Sequence, residues 1–463
     1  MDQRDVDAPV VRRPPVPGHD GASHAEELSF LEPDHAVVRL GQLRHPDDLR
    51  VRFRVLRGVE HELPHVLGSY PAYDLGSLAA DHRSLRSFVG PTLYSAPREP
   101  QKPARPKETD VDFDLNDEQR DLRDAARRYL EREAPIGYAR AMMDDERGYR
   151  DEVWKQMAEQ GWLALPLPAE HDGLGMGPIA LSILLAEMGR VVAPGPYLST
   201  VLAGMAIADA GSDDQKRALL PRIASGDLVA TVAAGLGDVE ELGGHLRGER
   251  LFVADGAIAE TIVVVAHTSD EESALYICEP SARTPVATMD QTRRLAHLRF
   301  DGAPAERLGS SDLSSVHRLL DRASLAIAAE SLGGAERVTE MAVEYAKART
   351  QFGRPIGSFQ AVKHRAADML VDVESLRSAV YYAAWAAERA LPDSSLAISM
   401  AKAFAADAYR RVAQSGIQIH GGIGFTWEHD MHLYFKRAKA NEVAFGDATF
   451  HRERVARLLR ARA

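Results

Sequence analysis

The sequence predicts a mainly α-helical chain with a β domain in its middle, and three observations carry that prediction. Apolar residues recur every three or four positions on both sides of Arg349–His364, which reads RTQFGRPIGSFQAVKH. Leu325, Ala328, Leu332, Ala335, Val338, Ala342 and Tyr345 precede it, and Phe359, Val362, Ala366, Met369, Val373, Leu376 and Val380 follow it, as in two long amphipathic helices. Near Leu228 the pattern changes to short apolar runs separated by turn residues, which is the signature of strands. From Ser311 the chain reads as helical to its end.

Composition limits what such a chain can do. Its 463 residues exceed one typical domain, and 45% hydrophobic with 27% charged residues is a globular balance. A net charge of −12 argues against a nucleic-acid binder, so an anionic ligand needs a local basic pocket. Cys278 is the single cysteine, which excludes an intrachain disulfide and fits a reducing, cytoplasmic setting. No uninterrupted apolar run is long enough for a membrane span, and the first 18 residues lack the apolar core of a signal peptide. No pattern of metal ligands stands out.

Taken in order, residues 1–110 differ from the rest. They hold 13 of the 25 prolines and 7 of the 17 histidines, and they end in a Pro- and charge-rich linker. An accessory domain, a disordered tail and a misassigned start are the readings open for this extension. Asn116 can cap a helix carrying Leu122, Ala125 and Tyr129, and further helices are expected near Asp151–Gln160, Pro178–Met188, Leu198–Ala210 and Asp213–Ala224. Leu167–Gly177 is a glycine-broken loop. Strands are expected at Leu228–Ala234, Arg250–Ala254, Thr261–Ala266, Ala274–Cys278 and Leu298–Phe300. In the C-terminal part, Ser358 is the expected N-cap after the Pro355–Gly357 turn. A third long helix runs from Asp393 or Ser394 to about Ser415, followed by helices at Glu428–Ala440 and Thr449–Arg462. The resulting segments are 1–110, 111–228, 229–309 and 310–463.

The turn at Arg349–His364 gathers a guanidinium (Arg349), an aromatic ring (Phe352) and an amide (Gln360), and a guanidinium suits a bidentate grip on pyrophosphate. The bland alternative is an ordinary helical hairpin with a solvated arginine. A second stretch, Gln418–Phe425 (QIHGGIGF), follows a helix, and Gly421, Gly422 and Gly424 allow a backbone to approach a ligand closely. Trp427–Asp430 reads either as a site or as a helix N-terminus with an aromatic anchor, and His420 either faces a ligand or packs in the core.

Together these stretches resemble the "RxxFGxxIxxFQ" and "QxxGGxGF" segments of the acyl-CoA dehydrogenase family, and the likeness extends from about Val111 to Ala463. It implies an N-terminal helical domain, a middle β-barrel-like domain and a C-terminal four-helix bundle. It further implies FAD as cofactor, with Arg349 and Phe352 gripping its adenosine diphosphate, Gln360 also binding the cofactor, and Gln418, Gly421 and Gly422 receiving the adenosine diphosphate across a subunit interface, hence at least a dimer. The implied reaction removes the α-hydrogen of an acyl-CoA thioester as a proton and the β-hydrogen as hydride. Partners follow: the thioester, an electron-transfer flavoprotein or similar acceptor, and a homo-oligomer or a second dehydrogenase subunit. The sequence departs from the family in places. Val232–Asp238 (VAAGLGD) stands where the family has its "TEPxxGSD" flavin loop, and Phe252 and Ala254 replace an indole and a hydroxyl. The two positions where family members hold the catalytic base are Phe445 and Ala323 here, and a neighbouring arginine position is Ser324. Glu442 and Asp447 are the nearby carboxylates that can serve as a relocated base. A flavin-binding structural subunit with no base of its own, and a dehydrogenase of a carrier-protein thioester, are the alternatives.

Overall fold

The structure is a computed structural model that describes residues 114–268 and 272–461. The extension 1–110 lies outside the described residues. Six helices come first: α1 (Asp117–Glu133), α2 (Ile136–Met142), α3 (Asp151–Glu159), α4 (Pro178–Arg190), α5 (Tyr197–Ala210) and α6 (Asp213–Ala224). Asn116 and Ser212 start α1 and α6 through capping boxes with Gln119 and Gln215. Helix α2 was not signalled by the sequence, because its N-cap, Pro135, supplies no side-chain acceptor.

Seven strands follow: β1 (Ala230–Ala233), β2 (Val239–Glu241), β3 (His245–Ala254), β4 (Thr261–His267), β5 (Ser273–Cys278), β6 (Ala282–Val286) and β7 (Leu295–Arg307). Strand β4 pairs with β2 and β5, β5 with β7, β7 with β3, and β3 with β2. That circuit closes a small barrel, with β1 and β6 added at its margins. Strands β2 and β6 escape sequence reading for physical reasons. The first has only three residues, and the second, ARTPV, carries a proline and lacks apolar alternation.

The C-terminal part begins with α7 (Leu313–Ala348), capped by Asp312, and continues through a two-stranded hairpin, β8 (Thr350–Gln351) with β9 (Arg354–Pro355). Helices α8 (Gln360–Glu388), α9 (Ser394–His420), α10 (Met431–Val443) and α11 (Ala448–Arg460) complete it. Ser358 does not cap α8. It sits in a 3-10 turn, Ile356–Ser358, and its hydroxyl donates to the Pro355 carbonyl at 2.7 Å. Nor does α9 stop near Ser415: nothing in SGIQIH breaks it, and it ends only where Gly421 takes φ +65°. The core runs continuously from the N-terminal helices through the barrel to α7–α10. Gly333 on α7 has no room for a Cβ, which would collide with the Ala186 carbonyl of α4, so the two helices cross backbone to backbone. Alanines 397, 401, 403, 405 and 406 of α9 are buried in the same close-packed manner. Among the described residues no helix is long and apolar enough to cross a membrane.

Candidate functional site

The hairpin and the glycine turn occupy one end of the helical bundle. Tyr345, near the end of α7, stacks on His420, the last residue of α9, at 4.4 Å. His420 is thus a packed core residue: it is buried, bonds the Gly416 carbonyl through Nδ1 at 2.7 Å, and burial lowers its pKa. At the hairpin tip Phe352 and Gly353 both take positive φ (54° and 75°), as a tight two-residue hairpin requires. Phe352 is 92% exposed among the described residues, an unusual position for a phenylalanine. Phe359 lies edge-on to Phe352 at 6.1 Å and carries the Arg354 guanidinium over its face at 4.2 Å. Arg349, Gln360, Gln418, Gly421 and Gly422 are all exposed. Gln418 lines a groove of about 650 Å³ between α8 and α9 together with Arg365 and Arg411, while Arg349 sits beyond the end of α7. Trp427 is exposed with Lys436 over its ring at 4.3 Å, and Asp430 pairs with Arg140 at 2.6 Å, which favours the anchor reading of that segment.

Between Glu344 and Asp368 the chain has five lysines and arginines (Lys347, Arg349, Arg354, Lys363 and Arg365) and no carboxylate. All five are exposed, and none is ion-paired among the described residues. On a protein of net charge −12 this is a local basic surface with an exposed ring at its centre. Such a surface fits the phosphates and the base of a dinucleotide. By contrast, a cavity of about 820 Å³ between α1, α4, α7 and α8 holds none of these residues. Its arginines, such as Arg127 and Arg190, are matched by Glu187, Glu336 and Glu340.

The turn between α10 and α11 is held from beneath. Lys402 of α9 is fully buried, and its ammonium donates to the carbonyls of Gly446 (2.7 Å), Asn441 (3.2 Å) and Glu442 (3.3 Å). A cation there complements the C-terminal end of α10, although burial pulls its pKa down to about 8. His451, also fully buried, contacts the Phe445 carbonyl through Nε2 at 3.0 Å. Phe445 takes φ +54°, a conformation that costs a non-glycine residue roughly 1–3 kcal/mol. Its ring packs against the core. Glu442 is clasped by Lys439 and by Arg410 at 3.3 Å. Asp447 is the N-cap of α11 and accepts from the Phe450 N–H at 2.8 Å. Ala323 is buried without exposure, and the Ser324 hydroxyl turns back to the Leu320 carbonyl.

A buried charge network, not anticipated from sequence, joins the barrel to the bundle. Arg437 of α10 is 1% exposed and donates to Asp290 (2.7 Å), Glu330 of α7 (2.6 Å) and the Thr292 hydroxyl (2.7 Å). Arg293 grips Glu330 with two bonds of 2.8 Å, and Asn441 donates to the same carboxylate at 2.9 Å. Burial alone would raise the Glu330 pKa, but Arg293 and Arg437 reverse that and hold it well below the ordinary range. On the barrel, Asp255 is buried beside Ser199, and burial raises its pKa to about 6.

Comparison with known proteins agrees with this fold. Family models describe residues 116–227 as an acyl-CoA dehydrogenase N-terminal domain and residues 313–459 as an acyl-CoA dehydrogenase C-terminal domain. The acyl-CoA dehydrogenase IpdE2 of Mycobacterium tuberculosis is 38% identical over 323 residues, covering 70% of this chain and 91% of that protein. FadE27 of the same organism is 34% identical, covering 68% and 89%. Among solved structures, the ChsE4–ChsE5 complex of Mycobacterium tuberculosis superposes with a TM-score of 0.70 at 31% identity, covering 75% of this chain and 99% of that one. The Tcur3481–Tcur3483 steroid acyl-CoA dehydrogenase variant gives 0.69 at 30% identity, covering 74% and 98%. The chain therefore belongs to the acyl-CoA dehydrogenase family, FAD-dependent oxidoreductases acting on CH–CH bonds.

Proposed function

We propose that this chain is the cofactor-completing subunit of a multi-subunit, cytoplasmic acyl-CoA dehydrogenase whose catalytic base comes from a second subunit. The observation that carries this reading is a division within the molecule. The residues expected to hold adenosine diphosphate are exposed, and Arg349 among them has no carboxylate partner among the described residues, while both family base positions are apolar and buried or packed (Ala323 and Phe445). The two nearby carboxylates are already engaged, Glu442 between Lys439 and Arg410, and Asp447 at the start of α11. A base must be free to take a proton at the substrate carbon. The similarity to the ChsE4–ChsE5 complex supports a heteromeric assembly, and the similarity to the Tcur3481–Tcur3483 steroid acyl-CoA dehydrogenase supports a bulky polycyclic acyl group on the thioester.

In this reading Arg349 binds pyrophosphate, Phe352 covers the adenine, and Gln418 with the Gly421–Gly422 backbone closes around the same moiety. FAD, when bound, supplies the hydride acceptor, and an electron-transfer flavoprotein or similar acceptor reoxidises it. This chain's own contribution at the turn Ala444–Asp447 is an apolar wall, Phe445, held by Lys402 and His451. The test is reconstitution. The chain alone should bind FAD weakly and reduce dye very slowly with any acyl-CoA, because a positioned base typically supplies a factor of about 10² to 10⁴. Activity should appear with a co-expressed second subunit and vanish when that subunit's base is changed. Full turnover by this chain alone, abolished by Glu442→Gln with FAD still bound, would refute the proposal.

A further inference from the structure

The loop Gly421–Glu428 leaves the end of α9 and returns to the start of α10. Gly424 is buried and the other residues of the loop are exposed. Its hydrogen bonds are local. The Thr426 N–H and hydroxyl both donate to the Ile423 carbonyl (3.1 and 3.0 Å), and the His429 N–H donates to the Thr426 carbonyl (3.4 Å). The contacts that tie the loop down gather at its neck. Gly424 rests on His420, where an added Cβ would collide with the His420 Cβ. His429, at the exit of the loop, packs on His420, at its entrance, with ring centroids 4.4 Å apart and planes tilted by 53°. Since Tyr345 of α7 also stacks on His420, this one imidazole carries a ring contact to the bundle and another to the loop. Trp427 is held separately, edge-on to His432 at 4.7 Å and beneath Lys436 at 4.3 Å.

His429 has a second task. Asp430, the N-cap of α10, makes no side-chain cap, and its carboxylate pairs with Arg140 of α2 at 2.6 Å. The N–H of Met431, the first residue of α10, donates instead to His429 Nδ1 at 3.1 Å. An imidazole nitrogen that accepts a hydrogen bond carries no proton, so this ring is neutral with its hydrogen on Nε2. A second proton can go only to Nδ1. There it takes the acceptor away from the Met431 N–H, orphans that group at the helix start, and sets a cation against His420. The groups that face the two rings are Tyr345 from α7, Arg140 from α2, and Asp430, His432 and Lys436 at the start of α10. Asp430 is the single carboxylate among them, and Arg140 already engages it. Burial pushes the pKa of both His420 and His429 below the ordinary 6.5.

We infer that His429 is a proton-sensitive clasp and a positioning residue: its neutral ring, stacked on His420 and accepting from Met431, closes the neck of the loop that presents Gly421 and Gly422, and a proton on Nδ1 opens it. The consequence for the cofactor rests on the reading that the chain binds FAD, whereas the opening of the loop does not. A folded pKa below the unfolded value of about 6.5 means that the clasp is fully closed above that pH and is lost as pH falls below it. His429→Asn supplies the test, because the asparagine carbonyl oxygen can accept as Nδ1 does and has no proton to gain. In the full-length protein, hydrogen exchange of residues 421–431, corrected for intrinsic rates, is compared at about pH 7.5 and about pH 5. FAD affinity is titrated at the same two values. In acid, wild type should exchange faster in this segment and bind FAD about fivefold or more weakly. His429→Asn should show neither change, a loss of pH dependence that a merely structural role would not produce. His429→Ala, with neither ring nor acceptor, should exchange fast and bind weakly at both pH values. Circular dichroism checks that each variant folds, and His429→Gln replaces an asparagine variant that does not. If wild type binds no FAD, the functional reading falls, and hydrogen exchange alone decides for or against the clasp. If acid does not speed exchange in wild type, or speeds it equally in His429→Asn, the clasp is overturned, while FAD binding at neutral pH leaves the functional reading standing.

Discussion

Replacing Arg437 by methionine removes the guanidinium from the centre of the buried network while keeping a side chain of similar reach. Three charge-assisted or hydroxyl bonds disappear, to Asp290, Glu330 and Thr292 at 2.6–2.7 Å. Glu330 keeps Arg293 and Asn441. Asp290 keeps only the Thr292 N–H and hydroxyl and becomes a buried carboxylate without a cation. Breaking a buried pair in this way typically costs about 3–5 kcal/mol, a large share of a total stability of about 5–15 kcal/mol. The expected loss is therefore about 4 kcal/mol, read from urea unfolding of the full-length protein by far-ultraviolet circular dichroism at pH 7. A second change, Asp290→Asn in the Arg437→Met background, removes the stranded charge and should restore about 2 kcal/mol. The network also sets a pH dependence. Glu330 has a folded pKa below its unfolded value, so its contribution is present above the ordinary glutamate range of about 4.5 and is lost as pH falls through it toward the folded value. A cost below about 1 kcal/mol for Arg437→Met, or no recovery with Asp290→Asn, would refute the claim that this cluster pins the barrel to the bundle.

Three further outcomes are expected. Arg349→Ala should lower FAD occupancy about tenfold or more while leaving the helical circular dichroism unchanged, because one charge-assisted bidentate contact is lost from an exposed residue; unchanged flavin content on purification would remove Arg349 from the site. His451 is fully buried and desolvation lowers its pKa from 6.5 to about 4. Its stabilising contribution is therefore complete above pH 6.5 and declines as the pH falls toward 4, so His451→Gln should flatten the fall of Tm over that window, and an identical slope would count against it. Phe445→Glu should raise dye reduction by the chain alone above its background, since the turn that carries it is clamped by Lys402 and His451 whatever the side chain; a folded, flavin-loaded variant with no gain would show that position 445 does not face the substrate.

Much of this fold was legible because its determinants are local. The Asn116 and Ser212 capping boxes act over three residues, and the starts of α1 and α6 follow directly from them. The hairpin tip and the end of α9 are set by backbone conformations that glycine permits, so their motifs are visible even though α9 runs to His420. What sequence hid is what acts at a distance. Asp290 and Arg437 are 147 residues apart, and Glu330 and Arg437 are 107 apart. Each looks like a solvated surface charge until the fold brings them together. Arg250 of β3, buried with its guanidinium donating to the carbonyls of Gly235, Gly237 and Val265, is hidden for a related reason, since a carbonyl has no letter in a sequence. The candidate base residues show the reverse case, since proximity in sequence to Phe445 suggested Glu442 and Asp447, whereas the fold gives one to two cations and the other to a helix end.

The acid-free stretch from Tyr345 to Ala367 has a kinetic consequence. The molecule as a whole carries −12, so a nucleotide approaching from afar meets repulsion, and only within about a Debye length of the hairpin, about 8 Å at 0.15 M ionic strength, does it meet attraction. Added salt first screens the long-range repulsion and only at higher concentration weakens the short-range grip. The association rate of a dinucleotide should therefore rise and then fall as ionic strength increases, with entry confined to the cationic end of the bundle while the rest of the surface turns anions away.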